Sequence, residues 1–275
     1  MSKSRTPQSS FDISDKARQA VDSSLSNRPG AAVDTRPSIL FCCPGSILDQ
    51  TSGAALSMRT VMAGLAARGF RAVALQATIF DSPQGGQHVM EAGESQKDKP
   101  IWRTELDGVE HLIVKTSNSH RRYMNCQEEE TYYNLFRQEL ANRRPDMVFL
   151  WGSLVLERTI MRECKDAGIP VVFYLVNEGY RDPSVFKDVA VVVTDTQSTA
   201  DLYRERHGLD CKVVGKFIDP AMIKSALPRR PDFITFINPS FEKGVSLFMP
   251  LARLAAKECP EIRFLVVQSR GRWAE

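Results

Sequence analysis

Residues 145–176, "PDMVFLWGSLVLERTIMRECKDAGIPVVFYLV", contain a strand, a helix and a second strand in succession. The two apolar runs do not alternate with polar residues, which is typical of strands buried on both faces of a sheet. Between them, "LVLERTIMRECKDAG" (154–168) has apolar residues at helical spacing and ends in glycine. This pattern predicts a βαβ unit with parallel strands and a right-handed crossover.

The same alternation extends from this unit in both directions. Further strands and helices are predicted at 38–43 (strand), 53–69 (helix), 70–78 (strand), 108–116 (strand), 127–144 (helix), 189–196 (strand), 197–208 (helix) and 211–215 (strand). The polar, glycine-rich segment 81–100 is predicted to be an exposed loop. The fold class is therefore α/β, a doubly wound parallel sheet of the Rossmann-like kind.

The two ends of the chain differ from this central part. Residues 1–36 are polar and serine-rich, which predicts a mostly disordered leader. Near the other end, the polar, proline-rich stretch 225–232 interrupts the alternation, and a strand, helix and strand then follow. One such unit does not bury both faces of its sheet. We therefore expect a complete first domain over 37–228 and an incomplete second Rossmann-like domain over 229–275.

Composition limits the classes of partner. The formal net charge of +3 is small and scattered, so no nucleic-acid partner is expected. No apolar run approaches the roughly 20 residues of a membrane span, although peripheral membrane contact remains open. The six cysteines show no CxxC and no metal spacing, and no signal peptide is recognised. These observations favour a reduced, cytoplasmic compartment.

Common catalytic motifs are missing from the sequence. It contains no G-x-G-x-x-G, P-loop, H-E-x-x-H, G-x-S-x-G or Asp-x-Asp motif, so neither a cofactor nor a metal is expected. In open parallel sheets, ligands bind beyond the carboxyl ends of the strands. One candidate there is the loop 44–55, where Gly53 and Ala54 begin a helix whose N-terminus favours an anion. The alternative is a plain turn capped by Ser52.

Polar side chains also follow the two strands of the opening stretch. Asn177, Glu178, Tyr180 and Arg181 cluster after the second strand, and Glu178 has the chemistry of an acid/base or a hydroxyl-binding group. The alternative is a polar surface loop. Trp151 and Ser153 follow the first strand and, with Tyr180 and Arg181, are predicted to contact a ligand. A tryptophan there can stack on a sugar ring, although the pattern favours simple packing.

The third candidate lies at the start of the last predicted helix. Lys243 and Gly244 stand at that start, with Asn238 in the loop before them. A lysine at such a position brings its own charge and the helix dipole to a diphosphate. An exposed lysine near a helix end is also common without any ligand.

Five segments, in order, resemble the family-four retaining glycosyltransferases, which have the GT-B fold of two Rossmann-like domains. They are "GAALSMRTVMAGLAARGFRAVAL" (53–75), "RRPDMVFLWG" (143–152), "GIPVVFYLVNEG" (168–179), "VAVVVTDTQSTADLYRERHGLDCKVVGKFIDP" (189–220) and "FITFINPSFEKGVSLFMPLARLAAKECPEIRFLVV" (233–267). The resemblance implies a nucleotide-sugar donor and a glycan, lipid or small-molecule acceptor. It also implies transfer with retention and without a bound metal.

The resemblance assigns roles and shows departures from the family. Gly53-Ala54 matches the family's loop beside the donor phosphates, and Lys243 matches its lysine on the donor diphosphate. The family's arginine five positions earlier is Asn238 here, and its first-domain histidine falls near Asn177, which cannot act as an acid/base. The family's segment for the nucleotide ribose and sugar lies beyond this sequence.

Three functions follow as hypotheses. The first is a glycosyltransferase whose present chain is a fragment with little activity of its own. The second is a non-catalytic module, derived from the acceptor-side domain, that binds a glycan or a protein. The third, a GT-B-like epimerase or hydrolase acting on sugar nucleotides, is less favoured because the carboxylates and histidines that such enzymes use are not evident.

Overall fold

The computed structural model describes residues 36–218, 223–224, 228 and 231–268. The predicted leader, 1–36, lies outside the described residues except for Arg36. Most of the predicted break at 225–232 is also outside them, so the boundary at 228–229 stays a prediction.

One large sheet forms the centre of the described chain. Its eight strands are β1 (Ser38–Cys42), β2 (Arg71–Ala77), β3 (Ile101–Leu106), β4 (Val109–Val114), β5 (Met147–Leu150), β6 (Val171–Leu175), β7 (Val191–Thr194) and β8 (Cys211–Val213). The strand order is β3-β4-β2-β1-β5-β6-β7-β8. Only β3 pairs antiparallel, with β4. The predicted doubly wound α/β sheet is confirmed.

Five helices accompany this sheet. They are α1 (Gly53–Ala67), α2 (Pro83–Gly93), α3 (Cys126–Arg143), α4 (Val155–Asp166) and α5 (Gln197–His207). Side chains of α3, α4 and α5 pack with Leu40, Val148 and Phe173 of the strands in one buried layer. Met58 and Met62 of α1 pack with Phe41 in the layer on the opposite side. Alternate residues of each central strand therefore face different helices, as expected for strands buried on both faces.

The starts of α1, α3 and α5 are fixed by side-chain caps that the sequence contains. Ser52 caps α1 by accepting a hydrogen bond from the Ala55 N–H. Asn125 and Glu128 form a capping box at the start of α3, and Thr196 caps α5. Each cap satisfies an N–H group that has no partner inside the helix. The caps explain why the predicted helices were confirmed to within a few residues.

The predicted loop at 81–100 is wrong, because α2 and a short 3₁₀ turn occupy Pro83–Gln96. Ser82 caps α2 and Pro83 begins it, which is a recognised start pattern. The glycines of α2 serve close packing rather than flexibility. A Cβ on Gly85 would lie 1.9 Å from Asp49 Oδ1, and one on Gly93 would lie 2.2 Å from the Trp102 ring.

Strand β3 was missed in the sequence. It forms a hairpin with β4 through Asp107 and Gly108, both of which have positive φ, at +55° and +74°. An Asp-Gly pair between two strand-forming runs is a strong hairpin pattern. The pattern was therefore available at 101–114, but only the second strand was predicted.

The path of the chain through the sheet creates a topological switch point. The chain leaves β1 toward β2 and β4, then returns to β5 on the other side of β1. The loops that follow β1 and β5 therefore diverge at the carboxyl edge of the sheet. A crevice at such a point is where ligands bind in open parallel sheets.

A small second sheet follows the large one. It consists of β9 (Ile234–Ile237) and β10 (Phe264–Val267), which pair in parallel and are joined by a 3₁₀ turn (Phe241–Lys243) and helix α6 (Val245–Glu258). This confirms the predicted strand, helix and strand. Phe248 is the buried residue of α6, whereas Ile237 and Leu247 are 61% and 78% exposed. The apolar strands are thus largely uncovered within the described residues.

Two further observations concern the environment of the chain. Among the described helices, none combines the length and the apolar character that crossing a bilayer requires. All six cysteines are free, and four of them, Cys42, Cys43, Cys164 and Cys211, are buried. Burial raises the pKa of the Cys164 thiol to about 12, so this thiol packs as a small apolar group.

Candidate functional site

The candidate site lies along the carboxyl edge of the large sheet. The parallel strands β1, β5, β6 and β7 all end at this edge. Most of the predicted site residues come from the loops that follow these strands. The contacts described below show which of them meet.

Gly53 and Ala54 are the first two residues of α1. Within the described residues, the N–H groups of Gly53 and Ala54 have no hydrogen-bond partner, and a Cβ on Gly53 would meet nothing within 4 Å. The start of α1 therefore presents open N–H groups to the surroundings. The Ser52 cap of the alternative interpretation is also present, and the two features coexist.

Tyr180 joins the loops after β5 and β6. Its hydroxyl accepts a hydrogen bond from the Gly152 N–H at 3.2 Å, and its own N–H donates to the Tyr203 hydroxyl at 3.1 Å. The side chain is buried, and this burial raises the pKa of the Tyr180 hydroxyl. The structure thus places Tyr180 as a buried brace between loops, not as an exposed acceptor-side group.

Trp151 and Ser153 flank the braced Gly152. The Trp151 ring lies 4.9 Å from the ring of Phe41 and 6.3 Å from that of Tyr174, measured between centroids, and is half-buried. The Ser153 carbonyl accepts a hydrogen bond from Arg158. Trp151 therefore packs against the sheet, as the sequence favoured, while part of its ring stays accessible.

The loop after β6 places the remaining predicted side chains on the surface. The Asn177 side chain accepts a hydrogen bond from the Gly179 N–H at 2.8 Å, which closes a local turn. Glu178 and Arg181 are exposed. The side chains of Glu178 and Arg181 make no hydrogen bond or ion pair with other described residues, so both are free to meet a ligand.

A buried ion pair lies beneath the switch point and was not predicted. Arg121, in the segment after β4, contacts Glu157 of α4 at 3.3 Å and Glu129 of α3 at 2.6 Å. Burial raises the pKa of Glu157, and Arg121 opposes that rise. Glu157 packs so closely on Gly152 that a Cβ there would lie 2.8 Å from its Cγ. The pair therefore supports the backbone at the end of β5.

A second polar group at the same edge was also missed. The Tyr174 hydroxyl donates a hydrogen bond to Oδ1 of Asp195, and Lys216 Nζ donates to Oδ2 of Asp195 at 2.9 Å. Burial, followed by Asp195, raises the pKa of Tyr174, and a hydrogen bond with Ser57 of α1 lowers it. Asp195 directly follows a strand, so the rule used for the residues after β5 and β6 would have identified it.

The last predicted group belongs to the small sheet. Lys243 ends the 3₁₀ turn, and Gly244 caps α6. Lys243 is exposed, and among the described residues its ammonium group has no hydrogen bond or ion pair. Asn238 directly follows β9 and has φ +60°, and its N–H donates to the Val267 carbonyl at 2.8 Å. The predicted position of Lys243 and Gly244 at a helix start is confirmed.

Metal ligands do not gather in this region. Across residues 36–218 and 231–268, no three His, Cys, Asp or Glu side chains are placed to share one ion.

Comparison with known proteins identifies the fold. No protein-family profile matches the sequence, and no curated protein matches it by sequence. A solved structure described as trehalose-6-phosphate from E. coli bound with UDP-2-fluoro glucose is similar, with a TM-score of 0.52 and 10% identity. The likeness covers 85% of this chain and 65% of that one. This chain therefore spans less than two thirds of that structure's chain.

Two other structures give weaker likenesses. Acinetobacter baumannii MurG matches with a TM-score of 0.42 and 12% identity, over 87% of this chain and 70% of that one. A putative UDP-N-acetylglucosamine 2-epimerase from Listeria monocytogenes matches with a TM-score of 0.46 and 9% identity, over 84% of this chain and 62% of that one. These two likenesses carry no further argument. The likeness to the first structure, at a TM-score of 0.52 and 10% identity, describes the fold alone, which is α/β and Rossmann-like, of the GT-B kind.

Proposed function

We propose that this chain is part of a glycosyltransferase that transfers a sugar from a nucleotide-sugar donor to an acceptor. The observation that carries the proposal is the fold, which is similar over 85% of this chain to a solved structure bound with UDP-2-fluoro glucose. The finer assignment, a family-four retaining enzyme, comes from the five sequence segments. So does the expectation of transfer without a metal, whereas the expectation of a cytoplasmic location comes from the cysteine pattern and from the absence of a recognised signal peptide in the given sequence.

The donor diphosphate would be held from two directions. The open N–H groups of Gly53 and Ala54 suit an anion, because the start of α1 carries partial positive charge. Lys243 adds a full charge with no competing partner among the described residues, and Gly244 begins the helix beside it. Asn238 contributes only an amide where the family has an arginine. We therefore expect weaker diphosphate binding than two cations would give.

The acceptor would lie against the loops after β5 and β6. Trp151 offers part of an aromatic face, Ser153 a hydroxyl, and Arg181 a free cation. The buried Tyr180 supports this surface because its hydroxyl accepts a hydrogen bond from the Gly152 N–H and so joins the two loops. Glu178 is the free carboxylate nearest in sequence to Asn177, whose own side chain is occupied in a turn. Glu178 is therefore the better candidate for proton transfer.

A second candidate function is a non-catalytic glycan- or protein-binding module. It is favoured by Asn177, which stands where the family's histidine would act and which cannot exchange a proton. In this function the acceptor-side residues would bind without any chemistry. Donor binding would then be absent.

Binding and turnover measurements with a panel of nucleotides distinguish the two functions. The chain is titrated calorimetrically with UDP, GDP and ADP and with the matching glucose nucleotides, and turnover is followed in parallel. The transferase proposal expects one nucleotide series to bind and expects little turnover. Absence of binding in every series would contradict it and leave the module. Turnover at ordinary enzyme rates would contradict the expectation of an inactive fragment.

A further inference from the structure

Tyr174, Asp195 and Lys216, called here the Tyr174–Asp195–Lys216 group, come from three different parts of the sheet. Tyr174 lies in β6, Asp195 follows β7, and Lys216 lies just beyond β8. Asp195 accepts hydrogen bonds from both of the other side chains. In each contact the two residues are 21 positions apart in the sequence, and together the contacts hold the Asp195 carboxylate in a defined orientation.

The charges of the group cancel. The ammonium of Lys216 is 2.9 Å from Asp195 Oδ2, so the pair is close to neutral as a unit. Each oxygen of a carboxylate can accept more than one hydrogen bond, and an ammonium group has three donors. The side chains remain 23% and 46% exposed, for Asp195 and Lys216 respectively. Donors and acceptors are thus available side by side without a net charge that would select an anion.

An aromatic surface adjoins the group. The half-buried Trp151 ring lies 6.3 Å from the ring of Tyr174, between centroids, with the planes tilted by 58°. Ser57 of α1 also forms a hydrogen bond with the Tyr174 hydroxyl. The carboxylate and the ammonium are thus linked through Tyr174 to a partly exposed tryptophan, and such a set can meet both the hydroxyl groups and the C–H face of a sugar.

We propose that the Tyr174–Asp195–Lys216 group, with Trp151, binds the pyranose ring of a neutral sugar. This deepens the proposed function and rests on it for the expectation that a substrate carries a sugar. The hydroxyl groups of the sugar would accept hydrogen bonds from Lys216 and donate hydrogen bonds to Asp195. The apolar C–H face of the sugar would lie on the Trp151 ring. The same chemistry fits an acceptor sugar or the sugar of the donor.

The chain contains a matched pair for control experiments. Lys212 and Asp210, a few residues before Lys216 in the sequence, form an ion pair at 3.3 Å. The Lys212 side chain is 52% exposed and the Asp210 side chain is 71% exposed. This pair joins near neighbours and lacks a described hydrogen bond to an aromatic residue. The variants Asp195→Asn and Lys216→Met are therefore compared with Asp210→Asn and Lys212→Met, after unfolding midpoints confirm that all four fold.

The readout is the indole N–H signal of Trp151 in NMR spectra. The chain has three tryptophans, and the Trp151→Phe variant assigns the signal. The probes are glucose, galactose, mannose and glucuronic acid at millimolar concentrations, together with UDP and UDP-glucose. We expect a neutral sugar or UDP-glucose to shift this signal. Asp195→Asn should weaken that binding about tenfold, because a charge-assisted hydrogen bond is lost.

Each outcome decides the question. A shift with free neutral sugar assigns an acceptor ring, and a shift with UDP-glucose but not UDP assigns a donor ring. If no sugar shifts the signal, if Asp195→Asn and Asp210→Asn behave alike, or if glucuronic acid binds tenfold more tightly than glucose, the inference is overturned. Failure of UDP and UDP-glucose to bind anywhere, while glucose still binds, would refute the proposed transferase and leave the sugar site.

Discussion

The Gly152 N–H donates a hydrogen bond to the Tyr180 hydroxyl at 3.2 Å, which ties the loop after β5 to the loop after β6. Gly152 has φ +112°, a backbone conformation that side chains with a Cβ rarely adopt. The Tyr180 N–H is itself held by Tyr203 of α5. The edge that carries the half-buried Trp151 and the exposed Arg181 therefore rests on a braced pair of loops rather than on free ones.

Removing the Tyr180 hydroxyl should loosen this brace. Tyr180→Phe keeps the ring packed and leaves the Gly152 N–H without its acceptor. We expect a loss of about 1 kcal/mol in the free energy of unfolding, measured with urea. Tyr123→Phe, at a side chain that is 50% exposed, should cost less than about 0.5 kcal/mol. Equal losses for the two variants would show that the Gly152 bond contributes nothing.

Alanine should be tolerated at Gly53 and not at Gly152. At Gly152 a Cβ requires a strained φ and would lie 2.8 Å from Glu157 Cγ. We expect Gly152→Ala to cost about 1–3 kcal/mol of unfolding free energy. Gly53→Ala meets no atom and should be neutral or stabilising by up to about 1 kcal/mol. A Gly152→Ala protein as stable as the Gly53→Ala protein would rule out the described geometry at the end of β5.

A buried polar chain beneath the loop after β1 involves His111. Gln76 accepts hydrogen bonds from the Ser46 hydroxyl and the Ile47 N–H, both at 2.8 Å, so its amide nitrogen faces His111 Nδ1, also at 2.8 Å. Because an amide nitrogen only donates, Nδ1 carries no proton. Protonation of His111 would therefore break the contact through which Gln76 holds the loop.

Stability should depend on pH through His111. Burial, together with the charge of Arg59, lowers the pKa of His111 from 6.5 to about 4, although Asp107 and the Leu106 carbonyl oppose this. As pH falls, the unfolded chain binds the His111 proton at a higher pH than the folded chain does. The contribution of neutral His111 to the free energy of unfolding is therefore fully present above pH 6.5 and is lost as pH falls toward 4. The total loss is about 3 kcal/mol.

The check is urea unfolding across this pH range, for the native sequence and for His111→Asn. Asparagine keeps an acceptor near Gln76 and does not titrate. Between pH 6.5 and 4, the free energy of unfolding of the variant should change much less with pH than that of the native sequence, whatever the variant's stability at neutral pH. An unchanged slope would assign the acid sensitivity to other groups.

The small sheet should depend on Phe248. Its ring stacks on Phe236 at 4.3 Å and meets Phe264 edge-on at 5.4 Å, between centroids. Phe248→Ala removes about 3–5 kcal/mol from a unit that has little other buried surface. Amide hydrogen exchange should then become fast across 234–267 while β1 stays protected. Leu247→Ala, at a residue 78% exposed, serves as the control and should leave the exchange unchanged.

The order of strands and helices was predictable where local patterns and burial agree. Uninterrupted apolar runs identified β1, β5 and β6, and caps such as Ser52 fixed helix starts. The error at 81–100 arose because Gly85 and Gly93 resemble loop residues in the sequence. Their purpose, close approach to Asp49 and Trp102, is visible only after folding.

The candidate site was less predictable than the fold. Ligands of parallel sheets bind beyond the carboxyl ends of the strands, and this expectation located the loops at Trp151 and Asn177. It does not predict which side chains of those loops are buried. Tyr180 was predicted as a ligand contact and is buried. Asp195 and Lys216 meet only because β7 and β8 are neighbours in the sheet, a pairing that no local pattern encodes.

Lys243 is proposed to contact the diphosphate of a nucleotide-sugar, and one titration decides whether it does. Calorimetry with the best-binding nucleoside diphosphate compares the native sequence, Lys243→Ala and Lys257→Ala, the last being an exposed lysine in the final turn of α6. We expect an affinity about tenfold lower for Lys243→Ala and an unchanged affinity for Lys257→Ala. Equal affinities in all three proteins would contradict it.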